Sequence, residues 1–254
     1  MPVIVTRPAA EAGAWVRRLG ERGVAAEALP LLAITPVADA SPLAQAWRQL
    51  PGCAAVMFVS VNAVSGFFGA KGPASWPAAT RAWAPGPGTA AALVAHGLPP
   101  SQVDAPAADA AQFDSEALWS RVAGQLRAGD RLLLVRGAGA EGRGEGRDWL
   151  AQRLRATGVQ VDEVVAYARG PALWTEADHA RAARAAIDGS WWLFSSSQAV
   201  RHLGDRLPAA DWSRARAVTT HPRIAEAARA LGFGLVRESR PALDDVVASI
   251  ESAQ

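Results

Sequence analysis

One seven-residue pattern occurs twice in the chain, and each copy marks the junction of a strand and a helix. The copies lie at residues 58–64 and 194–200, and both read F-x-S-x-[NQ]-A-V. An apolar run precedes each copy, and serine is a residue type that caps helix N-termini. The repeat therefore predicts two similar strand-to-helix corners, each with backbone N–H groups placed to meet an anion.

The two halves of the chain match in three places. Segment 5–8 matches 134–137, segment 60–62 matches 196–198, and segment 86–89 matches 221–224. Short apolar strands alternate with helical patterns around all six segments, which is typical of parallel α/β sheets. Ligands of such sheets bind beyond the carboxyl ends of the strands, where these segments lie. We therefore predict an α/β fold whose functional groups follow the strands.

The periodicity predicts strands at 3–6, 54–59, 81–84, 131–135, 159–167, 191–194 and 216–219. Helical patterns follow most of them, the last at 242–251. Segment 28–37 looks extended, and its prolines restrict it to a sheet edge or a linker. Segments 30–37 and 164–171 each look like strand and linker at once.

Composition excludes several classes of protein. Basic and acidic residues nearly balance, at 26 against 24, and the sequence contains no long basic block. Nucleic acid is therefore not the expected partner. Cys53 is the single cysteine, which excludes a disulfide framework, and the four histidines lack metal-ligand spacing. No apolar run approaches the ~20 residues of a membrane helix. We expect a protein of the reducing cytoplasm without a metal site.

The order of these motifs resembles that of the uroporphyrinogen-III synthase family over essentially the whole chain. The resemblance rests on V-T-R-P at 5–8, the first corner, G-P-G-T-A-A-A-L at 86–93 and V-R-G at 135–137. Gly146-Arg147, the second corner and P-R-I-A-E-A-A-R-A-L-G-F at 222–233 extend it. No single motif is specific, but their order and spacing together are.

The resemblance implies two flavodoxin-like parallel-sheet domains whose sequence repeats are exchanged, joined by a two-stranded linker. One domain combines residues 1–37 with 171–254, and the other takes 41–166. The linkers are 37–41 and 166–171.

The resemblance also implies an activity. The family is a cyclising hydro-lyase of haem biosynthesis that closes the linear tetrapyrrole hydroxymethylbilane to uroporphyrinogen III. Ring D is inverted, water is lost, and no cofactor is used. By this resemblance we expect a small-molecule substrate, no nucleic-acid or membrane partner, and a monomer.

Hydroxymethylbilane carries carboxylates on every ring, so the site needs many N–H and guanidinium donors. The expected substrate-binding residues are Thr6, Arg7, Ser60, Asn62, Ala63, Gly86, Gly88, Thr89, Arg136, Gly137, Arg147, Ser196, Ser197, Gln198, Pro222 and Arg223. The only tyrosine, Tyr167, matches the proton donor proposed for the family, in V-V-A-Y. The family frequently has glycine at the position of His221. We expect the histidine side chain to narrow the anion pocket there.

Each of these assignments has a structural alternative. Ser60, Asn62, Ser196 and Gln198 are also capping residues, the arginines are also partners for nearby acids, and Tyr167 is also a plausible anchor for a linker.

Two other functions compete with this interpretation. Residues 137–142 match G-x-G-x-x-G after a strand, with Asp162 twenty positions beyond, as in an NAD(P)-dependent oxidoreductase. Gly144 and Gly146 weaken that match, because they place the helix start too late. A non-catalytic, two-lobed anion-binding protein would show the same repeats.

Overall fold

The structure, a computed structural model, describes residues 1–107, 110, 112–139 and 149–252. The chain divides into two compact units. The first unit combines Met1–Ala33 with Gly170–Gln254, and the second unit is Ile34–Arg169. The domain and linker bounds inferred from the sequence stay a prediction.

Strands and helices alternate along most of the described chain. The strands are β1 (Val3–Val5), β2 (Ala26–Ala28), β3 (Leu32–Thr35), β4 (Ala55–Phe58), β5 (Arg81–Trp83), β6 (Val103–Asp104), β7 (Arg131–Ala138), β8 (Gln160–Pro171), β9 (Trp191–Phe194), β10 (Arg216–Thr219) and β11 (Leu235–Glu238). The α-helices are α1 (Ala9–Gly20), α2 (Ser41–Gln49), α3 (Val61–Gly69), α4 (Pro87–Ala95), α5 (Ser115–Val122), α6 (Trp149–Ala156), α7 (Glu176–Ile187), α8 (Ser197–Arg206), α9 (Pro222–Leu231) and α10 (Leu243–Glu251).

The strand order confirms that the sequence repeats are exchanged. The first sheet has the order β11-β10-β9-β1-β2, and the second has β3-β8-β7-β4-β5-β6. Strand β1 pairs in parallel with β9, and β7 pairs in parallel with β4, so each sheet joins strands from both halves of the chain. Read from β2 to β11, the first sheet has the flavodoxin-like order 2-1-3-4-5. In the second sheet β8-β7-β4-β5-β6 occupy the places of β2-β1-β9-β10-β11, which reads 5-4-1-2-3 in chain order because of the exchange, and β3 is added at the edge.

Each sheet is buried on both faces, as parallel sheets are. In the first sheet Ile4 packs into one apolar cluster, and its neighbours Val3 and Val5 pack into another. In the second sheet Phe58 and Met57 divide in the same way. Successive strand side chains point to opposite faces, so near-continuous apolar runs supply both cores. This arrangement leaves the polar residues of each repeat at the strand ends.

The structure differs from the sequence-based elements in three respects. The extended segment 28–37 divides between two sheets, because β2 belongs to the first and β3 to the second. Helix α2 was not predicted, although its buried Leu43, Ala46 and Trp47 have helical spacing. Strands β6 and β11 were also not predicted; they are short, and β11 is only partly buried.

Candidate active site at the carboxyl edge of the second sheet

Tyr167 owes its orientation to a β-bulge. In the pairing of β7 with β8, Arg136 lies opposite Val165 but Gly137 lies opposite Tyr167, so one extra residue of β8 is accommodated there. Such a bulge turns the following side chain to the other face of the sheet. Ala166 and Tyr167 therefore pack into the same apolar cluster, on the face covered by α3.

Ser60 caps α3 and contacts Tyr167. Its backbone is extended, and its Oγ accepts a hydrogen bond from the Ala63 N–H at 3.2 Å. The same Oγ lies 3.0 Å from the Tyr167 hydroxyl oxygen. The capping role predicted for Ser60 is confirmed, whereas Asn62 is the second residue of α3 and does not cap it. The corner serine and the lone tyrosine thus meet in one hydrogen bond.

The Tyr167 ring packs directly against the backbone of Gly137. A Cβ atom added to Gly137 would lie 2.5 Å from Tyr167 Cζ and 2.9 Å from its hydroxyl oxygen. Tyr167 is 4% exposed, so its ring is closely packed. We call Ser60, Gly137 and Tyr167 the tyrosine site. Ser60 follows β4, Gly137 is the penultimate residue of the neighbouring β7, and Tyr167 lies opposite Gly137 in β8, which continues to Pro171.

The position of Gly137 also argues against the dinucleotide-binding alternative. Gly137 lies inside β7, which continues to Ala138, rather than in a turn after the strand. The rest of that motif, from residue 140 to 142, lies outside the described residues, as does Arg147.

Helix α4 begins at the next strand end and has no side-chain cap. Gly86 precedes it and Pro87, which lacks an N–H, is its first residue. The N–H groups of Gly88 and Thr89 therefore lie in a first turn with no capping side chain, where the helix dipole favours an anion. The side chain of Thr89 is buried, and Gly88 is exposed.

Arg136 is not brought to the tyrosine site. It alternates with Val135 and Gly137 along β7, so its side chain lies on the opposite face of the sheet. There it is 4% exposed and donates to the Glu163 carboxylate at 2.8 Å. Arg155 of α6 donates to the other oxygen of Glu163, also at 2.8 Å. The structural alternative for Arg136, an ion pair with a nearby acid, is confirmed, and its contact with substrate stays a prediction.

We expect this pairing to make stability depend on pH. Burial acts to raise the pKa of Glu163, but hydrogen bonds from Arg136 and Arg155 outweigh it, and the pKa is lowered. A lowered folded-state pKa stabilises the protein above the unfolded-state pKa of about 4.3, and the contribution is lost as pH falls through the folded-state pKa. Denaturant titrations of wild type and Glu163→Gln should show a stability gap at neutral pH that closes in acid.

The matched control is Glu238→Gln, which removes an exposed pair with Arg229. An exposed pair contributes little, so this variant should stay close to wild type at every pH. A Glu163→Gln gap that persisted unchanged into acid would contradict the role of the ion pair.

Thr6 and Arg7 follow β1 at the carboxyl ends of the strands of the first sheet. The Thr6 hydroxyl donates to the Leu193 carbonyl at 2.7 Å and thereby joins the ends of β1 and β9. The Arg7 guanidinium pairs with Glu11 at 3.1 Å and lies 4.4 Å above the Trp15 ring. Burial lowers the pKa of Arg7, against the opposing effect of Glu11. Both side chains therefore have structural partners, and their contact with substrate stays a prediction.

The second corner repeats the first without a tyrosine. Ser196 caps α8, since its Oγ accepts from the Gln198 N–H at 3.2 Å. Ser197 and Gln198 are the first two residues of α8, so Gln198 is not a cap. The Ser197 hydroxyl donates to the Arg223 carbonyl at 3.4 Å. The corner is therefore linked to the next helix along the sheet edge.

His221 has a role that the sequence did not reveal. It precedes Pro222 at the start of α9, and its Nδ1 accepts a hydrogen bond from the Arg223 N–H at 3.2 Å. The imidazole therefore serves as the cap of α9. Proline at the first helical position was the available signal for a helix start.

Two further features, a metal-binding cluster and a membrane-spanning helix, are absent from the described residues. Within them, no group of three or more His, Cys, Asp or Glu side chains is placed to hold a metal ion. No helix among them has the length and apolar character needed to cross a membrane.

Comparison with known structures shows the same fold. A uroporphyrinogen III synthase from Thermus thermophilus, solved as a mutant, aligns with a TM-score of 0.61 and 17% identity, covering 100% of this chain and 98% of the other. A uroporphyrinogen-III synthetase from Helicobacter pylori aligns with a TM-score of 0.57 and 16% identity, covering 100% of both chains. Identities this low show the fold alone.

The sequence itself matches a family model. The model is described as "Uroporphyrinogen-III synthase HemD", and the match runs from residue 13 to residue 248. It spans both units and includes both corners, the tyrosine site and the cap of α9. This chain belongs to the uroporphyrinogen-III synthase family, the cyclising lyases of tetrapyrrole and haem biosynthesis.

Proposed function

We propose that the tyrosine site is where hydroxymethylbilane loses its hydroxyl group and closes to uroporphyrinogen III with inversion of ring D. The observation that carries this proposal is the 3.0 Å hydrogen bond between Ser60 Oγ and the Tyr167 hydroxyl. A buried phenol that is hydrogen-bonded to a serine hydroxyl is suited to supply a proton in a fixed direction.

The chemistry requires one proton transfer and much positioning. Hydroxide is a poor leaving group, but water departs readily from a carbon attached to an electron-rich pyrrole once the oxygen is protonated. A phenol keeps its proton at neutral pH and can donate it. Ring closure at the substituted carbon then depends on how the linear substrate is folded, which is a positioning effect.

The carboxylates of the substrate need separate donors. The uncapped first turn of α4, at Gly88 and Thr89, supports a carboxylate contact next to the tyrosine site, and Gly86 immediately precedes this turn. In the first unit the starts of α8 and α9 offer further backbone N–H groups, with Ser196 and Arg223 beside them. Each helix N-terminus contributes about 0.3–1 kcal/mol toward an anion. We propose the contacts at α4, with Asn62, as substrate-binding contacts of the second unit, and those at α8 and α9, with Arg7, as substrate-binding contacts of the first unit.

Tyr167→Phe tests the proposal directly. The variant loses one hydroxyl and keeps the ring, so the fold and the midpoint of thermal unfolding should change little. We expect kcat for isomer III to fall about tenfold. This loss is smaller than the usual loss on removal of a general acid, because the electron-rich pyrrole already assists the departure of the hydroxyl group. The assay measures isomer III against isomer I, which forms spontaneously from released hydroxymethylbilane.

Two outcomes would contradict the proposal. Unchanged kcat in Tyr167→Phe would show that positioning alone is sufficient. Wild-type protein that binds hydroxymethylbilane without raising the share of isomer III would favour an anion-binding protein instead.

Three broader expectations remain proposals: that the protein acts as a monomer, that it works in the cytoplasm, and that it binds no nucleic acid. The near balance of charge supports the last of these. Light scattering, cell fractionation and a DNA-binding titration at low salt test them in turn.

A further inference from the structure

We propose that Ser60 is the residue that donates the proton to the substrate, and that Tyr167 donates its own proton to Ser60. This inference rests on the proposed function of Tyr167 and adds a catalytic residue to it. It depends on the direction of the hydrogen bond between the two hydroxyls.

The phenolic hydrogen fixes that direction. Tyr167 is 4% exposed, and a buried O–H group without an acceptor is costly. In the described part of the chain, Ser60 Oγ at 3.0 Å is the only hydrogen-bond partner of this hydroxyl. The 3.0 Å distance allows either hydroxyl to donate, and from this burial we infer that the phenol donates and Ser60 accepts.

The partners of Ser60 determine where its own hydrogen points. A serine hydroxyl has two lone pairs and one hydrogen. One lone pair accepts the Ala63 N–H at 3.2 Å, and the other accepts the Tyr167 O–H. The Ser60 hydrogen is then the group left to face outward, and no acceptor for it lies among the described residues. Ser60 is half-buried, whereas Tyr167 is buried, so the serine is the member of the pair that a ligand meets.

The hydrogen bonds around Ser60 also have a polarity. The Ala63 N–H lies in the first turn of α3, where the helix dipole is positive. Consecutive hydrogen bonds polarise one another, so the bond from Ala63 makes the Ser60 O–H a better donor. It also disfavours positive charge on Ser60, which supports a concerted transfer in which Ser60 gives one proton as it receives another.

The proposed reaction step conserves atoms and charge. Ser60 transfers its proton to the hydroxyl oxygen of the substrate's hydroxymethyl group, the C–O bond breaks, and water leaves. At the same time the Tyr167 proton moves to Ser60 Oγ, which leaves a phenolate and a substrate cation. Ring closure forms a C–C bond at the substituted α carbon of ring D. The older C–C bond at that carbon then breaks and re-forms at the unsubstituted α carbon, which inverts ring D, and the proton lost from that carbon restores the phenol. The net change is the loss of one water.

A double-mutant cycle tests this order of groups. Ser60→Ala removes the relay and should lower kcat about tenfold, as Tyr167→Phe does. The double variant should be no slower than either single variant, because both changes interrupt one pathway. Ser60→Thr keeps the hydroxyl and should retain most of the activity.

Solvent isotope effects add a readout that a structural role would not change. In single-turnover reactions, a plot of wild-type rate against the fraction of D₂O should curve, since two protons move together. The plot should become linear in Tyr167→Phe and stay curved in Ser60→Thr. The Ser60→Thr measurement keeps the proposal testable if Ser60→Ala does not fold.

A control separates loss of a helix cap from loss of the relay. Thr175 caps α7 in the first unit and forms a capping box with Asp178. Thr175→Ala should lower the thermal midpoint and leave kcat unchanged.

Three results would overturn the relay. Unchanged kcat in Ser60→Ala with a slower Tyr167→Phe would show that Tyr167 donates directly, and the proposed function would stand. Multiplicative losses in the double variant would show independent roles. A linear wild-type plot would show a single moving proton. If instead Tyr167→Phe were fully active, the proposed function itself would fail.

Discussion

Gly137→Ala should lower kcat for isomer III about 100-fold, more than removal of the Tyr167 hydroxyl itself. The new methyl group would lie 2.5 Å from Tyr167 Cζ and must push the ring away from β7. The displaced phenol then leaves Ser60, and misplacement of this size costs about 100-fold in rate. Steady-state kinetics of the variant, with isomer III as the product measured, check this.

The clash itself can be verified through stability. Overpacking at Gly137 should cost about 1–3 kcal/mol in the free energy of unfolding. In a Tyr167→Ala background the ring is gone, so the same substitution at Gly137 should cost almost nothing. An equal cost in both backgrounds would show that the methyl group meets something other than Tyr167.

Gly66→Ala should destabilise the protein by about 1–3 kcal/mol, although alanine favours helices. Gly66 lies in the middle of α3, directly against the bulged part of β8. A Cβ atom there would overlap the carbonyl oxygen of Ala166 and lie 2.9 Å from its carbonyl carbon. Both atoms belong to the backbone, so α3 and β8 must separate. Urea titration measures the loss of stability.

Gly69 in the same helix provides the matched control. A Cβ atom at Gly69 would have no neighbour within 4 Å, so Gly69→Ala should be neutral or slightly stabilising. A Gly66→Ala variant as stable as Gly69→Ala would contradict the close packing of α3 on the bulge. Since that packing also aims Tyr167 at Ser60, we expect Gly66→Ala to lower kcat as well.

Much of the fold could be predicted from the sequence because its signals are local. The corner serines cap α3 and α8, and the apolar runs before them form β4 and β9. The pairing of β1 with β9, however, joins residues far apart in the chain, and no local pattern encodes it. It followed from the family resemblance and is confirmed by the strand order.

The site was less predictable because side-chain direction depends on register. Alternation along β8 would place Ala166 and Tyr167 on opposite faces, and only the bulge puts them on one face. Arg136 was expected among the substrate-binding residues, but its position in β7 directs it to Glu163 on the other face. His221 was expected to narrow an anion pocket, and the structure shows it capping its own helix. Such outcomes depend on tertiary geometry that residue types alone do not encode.

The exchange of strands between the two sheets also orders events during synthesis. Val3, Ile4 and Val5 leave the ribosome long before their partners Trp191, Trp192 and Leu193. At about 5–20 residues per second, this apolar strand waits roughly ten to forty seconds with one side unpaired. The second unit lies on a continuous stretch of chain and can assemble during that interval. Completion of the first unit is therefore a late event in the life of the nascent protein.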